Sequence, residues 1–208
     1  MKSFLLLIIT IFFASCNSST TRLKSDSLKG RIEENVYLND YFGFTLKVDS
    51  PWKTLNLTEI NQLMNERIDV INETGQTVQP ISKAVHILLS LTIDTIQTMP
   101  HFLISTLDLN MTSHIKNESD YLKDYTKHLK KMYDNYEFEI TNSDIGQEKI
   151  GNKIFYTSLI TIKTEDFLAY QKRYSTKEGD KLLNLMANYD SDFYEQKCLA
   201  LVNNIRWE

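Results

Sequence analysis

Four stretches in the last third of the chain constrain the fold most. Asp144 to Ile150, Lys153 to Lys163, Phe167 to Ser175 and Lys181 to Tyr189 each alternate apolar with more polar residues, the period-two signature of strands. Between them stand Gly151-Asn152, Lys163 to Asp166 and Gly179-Asp180, turn signals short enough to send each strand back beside its predecessor. A two-residue connection cannot make a parallel crossover, so this third of the chain reads as an antiparallel meander.

The preceding chain supplies what such a sheet needs to bury its apolar face. Asn35 to Val48 reads as two short strands around Asn39-Asp40, closed by Pro51-Trp52. Val85, Ile87, Leu89, Leu91 and Ile93, and then Leu103, Ser105, Leu107, Leu109 and Met111, alternate as two long strands joined near Met99-Pro100. Ile60, Leu63, Met64, Arg67, Ile68 and Ile71 follow helical spacing behind Thr58 as a cap candidate, and Gly75 ends the run. Tyr121, Leu122, Tyr125, Leu129, Met132, Tyr133 and Tyr136 share one side of a helix from about Ser119 to Tyr136, with lysines opposite. A closing helix is expected from Ser191 or Asp192 to about Ile205. The fold class is therefore α+β: a central antiparallel sheet flanked by helices. Trp52, Phe44, Tyr121, Leu129, Ile160 and Leu201 are expected to be buried together between sheet and helices, and the tyrosine stripe to be core packing.

The first residues carry an address. Lys2 precedes an apolar run from Phe4 to Ala14, too short for a membrane span, and Phe13-Ala14-Ser15-Cys16 resembles a lipobox. Residues 1–15 are accordingly expected to be a lipoprotein signal peptide, with Cys16 acylated and serving as the membrane anchor. Residues 16–30 are Ser-, Thr-, Lys- and Asp-rich and read as a flexible tether, leaving 31–208 as a single domain. Asn17 to Leu23 hold no acidic cluster of the kind that resembles a surface-export signal, so the expected location is the cell envelope with the body facing the periplasm. Removing residues 1–15 takes away one of 23 basic residues and none of the 27 acidic ones, so the net charge moves from −4 to −5. That acidic, mixed balance gives nucleic acid no electrostatic footprint.

Residues that carry chemistry are present but not spaced for it. With Cys16 acylated, Cys198 is the remaining thiol, and it lies on the helical apolar stripe of Phe193, Tyr194, Leu201, Val202 and Ile205, where a buried structural role is expected. His86, His101, His114 and His128 show no ligand spacing with one another or with Cys, Asp or Glu, so no metal is expected. Asp108, Asn110, Asp190 and Asp192 do not form a calcium loop. Ser175-Thr176-Lys177 reads as a turn, and Glu33-Glu34 and Asp190-Ser191-Asp192 fall at element ends, where solvation or capping is the common role. No nucleophile motif, phosphate loop or dinucleotide fingerprint occurs, and no cofactor is expected.

The Tyr-x-Asn-x-x-Phe-Gly-Phe entry from Tyr37 to Phe44, Pro51-Trp52, a long central helix, the Gly151-Asn152-Lys153 strand opening, a hairpin and a closing helix together resemble the PsbP-like fold of DcrB-type bacterial lipoproteins, over about Glu34 to Arg206. The resemblance implies an α/β/α sandwich and a mostly non-enzymatic superfamily that includes an extrinsic photosystem subunit, a Ran-GTPase-binding factor and the EagR effector chaperones. It transfers no binding residue. The functional expectation is a lipid-anchored, non-catalytic binding or assembly module with a protein partner. The alternatives are an immunity or chaperone-like protein for a secreted effector, and an enzyme whose site is built from scattered residues.

Overall fold

In the computed structural model of the protein, residues 28–56, 59–60, 84–93, 99–133 and 138–208 are described. The expected strands between residues 144 and 189 fall almost where their turn signals place them: β8 (Gly146–Ile150), β9 (Lys153–Lys163), β10 (Leu168–Glu178) and β11 (Lys181–Tyr189). Gly151 and Gly179 adopt φ of +61° and +60°, the left-handed backbone that the β8–β9 and β10–β11 turns require.

These strands join β4 (Lys53–Thr54), β5 (Val85–Thr92), β6 (His101–Asp108) and β7 (Glu139–Asn142) in one antiparallel sheet of order β4-β5-β6-β11-β10-β9-β7, with β8 also on β9. Every residue of β11 is buried, as befits a central strand covered on both faces. A second antiparallel sheet of order β1-β2-β3-β12 comprises β1 (Arg31–Glu33), β2 (Val36–Asn39), β3 (Phe44–Lys47) and β12 (Ile205–Trp207).

The expected long central helix is α1 (Glu118–Tyr133), and the closing one is α2 (Asp192–Asn203). Asn117 caps α1, its Oδ1 accepting the Asp120 N–H at 2.8 Å, while Glu118 and Asp120 sit at the positive end of the helix dipole and Lys130 and Lys131 at the negative end. Residues 134–136 of the expected helix lie outside the described residues.

Five departures from the sequence reading bear on the arrangement of the elements. The second long strand stops at Asp108, because the Asp108 carboxylate accepts the Asn110 N–H and turns Leu109–Met111 into a 3₁₀ turn. The closing helix stops at Asn203, and Ile205 belongs to β12, where Ile205 pairs with Leu46 and Trp207 with Phe44. Residues 59–60 are helical as expected, but the cap is Asn56: its Oδ1 accepts from Glu59 N while its own N–H donates to Glu59 Oε2, a reciprocal capping box. The rest of that helix lies outside the described residues. Leu28 is buried and Gly30 is locked, so packing reaches back into the stretch read as tether; a Cβ on Gly30 would stand 2.4 Å from both Leu38 O and the Tyr37 ring.

The fifth departure is the core, which is two cores. A sheet has two faces, and successive residues alternate between them. Ile160 and Leu182 face Tyr121, Leu122, Tyr125, Leu129 and Tyr133 of α1. Leu183, Leu185, Phe155 and Tyr174 face the opposite way, against Tyr37, Phe44 and Leu46 of the small sheet and Cys198, Leu201 and Val202 of α2. Trp52 is only partly buried, beside this second cluster.

Candidate functional site

The face of the main sheet under α1 is not uniformly apolar. Cross-strand registry places Gln171 beside Asn188, Asn188 beside His101 and His101 beside Thr92 in one row. The next row runs Ser158, Arg173, Met186, Leu103, Ser90. Five of these polar side chains are linked: Arg173 Nη1 donates to Gln171 Oε1 at 3.2 Å, Gln171 Nε2 donates to Asn188 Oδ1 at 2.7 Å, Asn188 Nδ2 lies 3.5 Å from His101 Nδ1, and His101 Nε2 is 2.7 Å from Ser90 Oγ. At the other end Arg173 Nη2 donates to the Tyr121 hydroxyl at 2.5 Å, and the guanidinium carbon lies 3.3 Å from the centre of the Tyr125 ring. Burial raises the Tyr121 phenol against the opposing influence of Arg173, keeping the hydroxyl protonated. The tyrosine stripe is thus core packing that also holds a sheet cation.

Ser90, His101 and Asn188 have the residue types of a nucleophile, base and orienter. Their accessibility is 1 %, 2 % and 2 %, and Gln171 and Arg173 are at 1 % and 3 %. A nucleophile needs a substrate atom within about 3 Å, and these groups are buried away from solvent. Such a row holds the interior together, since buried polar groups are tolerated when they satisfy one another.

Two other clusters are at the surface or rim. Lys181 Nζ is 2.9 Å from Asp108 Oδ2 and 3.6 Å from Asp180 Oδ1, and Asn110 bridges to Asp180 at 2.7 Å. Burial works against the Lys181 charge, yet the Asp108 hydrogen bond and the charges of Asp108 and Asp180 outweigh it and raise the amine. His86, on the neighbouring strand, is lowered first by burial and then by the Lys181 charge. His114, ahead of α1, and His128, on α1, are half exposed, and His114 Nε2 and His128 Nδ1 each lie 3.3 Å from the same oxygen of Asp124. Among the described residues no group of three or more His, Cys, Asp or Glu is arranged to hold a metal.

The remaining residues singled out in the sequence are dispersed. Cys198 is fully buried on the inner face of α2 and its thiol is pushed up to about 12 by burial and then by Glu195, which makes it a poor nucleophile. Asp190 and Asp192 are exposed at the start of α2, and Glu33 is exposed and paired with Arg31. Ser175, expected in a turn, is inside β10, its hydroxyl donating to Asn184 Oδ1 at 2.7 Å. Cys16 lies outside the described residues. Sequence reasoning missed Gln171, Arg173, Asn188 and Ser90. A signal for Asn184 and Asn188 was available: they interrupt the nearly continuous apolar run of β11, where a strand buried on both faces leaves an amide no access to water.

The Tyr37 to Phe44 entry is a built element as well. Asn39 Nδ2 donates to Leu28 O at 3.0 Å and to the Tyr37 hydroxyl at 2.9 Å, and its Oδ1 accepts from Phe42 N at 3.1 Å. The solution structure of cyanobacterial PsbP (CyanoP) from Synechocystis sp. PCC 6803 superposes with a TM-score of 0.53 at 9 % identity, over 94 % of this chain and 98 % of that one. The fold is PsbP-like. A crystal structure from Bacteroides thetaiotaomicron aligns with 80 % of this chain and 45 % of its own, at 12 % identity and a TM-score of 0.40. No family model matches the sequence, and no curated protein matches it.

Proposed function

We propose that this PsbP-like chain is a lipid-anchored, non-catalytic binding or assembly module of the cell envelope, acylated on Cys16 after removal of residues 1–15, with its body facing the periplasm and a protein as its partner. The non-catalytic half of the reading is carried by the burial of the convergent polar row from Ser90 to Tyr121, which leaves catalytic residue types without substrate access. The anchored half rests on Phe13-Ala14-Ser15-Cys16. No helix among the described residues is long and apolar enough to cross a membrane, so membrane attachment in this reading comes from the lipid. Among the described residues the most exposed large apolar side chain is Phe193, at 65 %, with Lys197 over its ring, the kind of aromatic anchor that dominates protein interfaces.

Mass spectrometry of the mature N-terminus, together with fractionation of a Cys16→Ser variant, tests the anchor. Acyl-modified Cys16 as the first residue, and release of the variant from membranes, are expected; an unmodified Cys16 in the mature protein overturns it. For the second half, alanine variants at His86, His101, His114, His128, Cys198 and Asp190 are compared with Phe193→Ala for capture of a crosslinked partner in cells, with folding checked by circular dichroism. One folded polar variant that abolishes the phenotype would replace the binding reading with a catalytic or metal-site one.

A further inference from the structure

We infer that Arg173 fixes the tautomer of His101 two residues away in a one-way hydrogen-bond chain, holding the imidazole proton on Nε2. A guanidinium has donors and no acceptor, so the Gln171 atom 3.2 Å from Arg173 Nη1 must be the amide oxygen. That turns the Gln171 nitrogen toward Asn188, whose side chain must then present its own oxygen, at 2.7 Å. The Asn188 nitrogen is thereby left facing His101 Nδ1 at 3.5 Å. Two N–H groups cannot point at each other, so Nδ1 offers its lone pair and the ring proton sits on Nε2, donated to Ser90 Oγ at 2.7 Å.

Each amide in the chain could be turned round on its own; the donor-only guanidinium at one end removes that freedom from all of them. The polarity has two consequences. Ser90 Oγ is the acceptor of its bond with His101, the reverse of what a base does for a nucleophilic serine. The Tyr121–Arg173 anchor of α1 on β10 is also coupled, through β11 and β6, to Ser90 on β5, so the state of the helix dock is written into a ring proton two strands away, on β6.

The test is 15N NMR of the histidine side chains in the full-length chain, with His101 assigned by loss of its signal in a His101→Gln variant. The wild type is expected to show an unprotonated Nδ1 and a protonated Nε2. Gln171→Glu puts an acceptor-only carboxylate beside Arg173, which keeps that pair satisfied and turns Asn188 to donate to the carboxylate and to present its oxygen to the ring; the His101 proton should move to Nδ1. Asn188→Asp makes the same change one link nearer and reads the same outcome if Gln171→Glu does not fold. A wild-type ring protonated on Nδ1 or on both nitrogens overturns the inference, as does a folded Gln171→Glu or Asn188→Asp protein with the proton still on Nε2.

Discussion

The guanidinium of Arg173 lies face to face with Tyr125, its central carbon 3.3 Å from the ring centre, while Tyr121 accepts one of its N–H groups. Two positions of one helical stripe, a turn apart, thus grip a cation projecting from β10. Tyr125→Leu keeps an apolar body of similar reach and removes the ring, and it should cost about 2 kcal/mol, the scale of a desolvated cation–π contact. Tyr121→Phe keeps the ring and removes the acceptor, and it should cost about 1 to 3 kcal/mol for the buried donor left behind. The double variant should depart from the sum of the two, because both act on the same side chain. Urea unfolding monitored by circular dichroism measures all three.

Leu129 lies further along the same stripe and is fully buried. Leu129→Ala should destabilise by about 2 to 5 kcal/mol through the cavity it opens between α1 and β9. A loss below about 0.5 kcal/mol in the same unfolding assay would contradict the docking of α1 on the sheet.

Asn39 makes three hydrogen bonds with backbone and side-chain partners on Leu28, Tyr37 and Phe42. Asn39→Ala should cost about 1 to 3 kcal/mol, since it leaves buried groups unsatisfied. Asn39→Asp retains the acceptor for Phe42 N and loses both donors. The signature is a fall in midpoint for both variants, with faster proteolysis ahead of residue 31 as Leu28 is released.

The meander was legible because its turns announce themselves: Gly151 and Gly179 stand where the backbone is left-handed, and the runs between them alternate. The closing strand was not. Ile205 continues the spacing of Leu201 and Val202, and only β3, more than 150 residues away in sequence, makes Ile205–Trp207 extended. Alternation tells which residues of a strand share a face and says nothing of what lies on that face. Hence the six expected core residues divided between two cores, and hence nothing in the alternation of β10 marked Arg173 as a residue that meets Tyr121 and Tyr125 of α1. Hydrogen-bond direction along the row depends on distances across four strands, which no local pattern encodes.

Gly151 combines φ of +61° with a crowded surrounding, because a Cβ there would stand 2.5 Å from Trp207 Cδ1. That indole also packs on Phe44 and Phe155 and lies under Lys153 Nζ. Gly151→Ala should therefore destabilise by about 1 to 3 kcal/mol from backbone strain alone, with the Trp207 contact adding to it. Gly179, with φ of +60° and nothing within 4 Å of its Cβ position, supplies the control for strain without crowding. Gly151→Ala should exceed Gly179→Ala in cost and should alter tryptophan fluorescence, whereas Gly179→Ala should not.

Burial of Cys198 makes stability depend on alkaline pH in a direction that follows from linkage. The thiol is raised from an ordinary 9.0 to about 12 in the folded protein, first by burial and then by the charge of Glu195. Between those values the unfolded chain has released the proton and the folded chain still holds it, so unfolding gains as pH rises. The contribution is whole below about pH 9 and is lost progressively up to about pH 12, at about 1.4 kcal/mol per pH unit. Tyr174 and Tyr189 are raised by burial in the same region and add a loss of the same sign at higher pH, as does Lys181 through its pairing with Asp108. Those groups are common to the wild type and Cys198→Ala, so comparing the two isolates the thiol. From pH 8 to pH 10.5 the wild type should lose about 2 kcal/mol more than the variant, read from urea midpoints at each pH. The same thiol should resist a disulfide reagent in the native protein and react at once in urea. Equal pH dependence in the two proteins would mean that Cys198 ionises as freely folded as unfolded, and α2 would then not seal it against Asn188 O and the sheet.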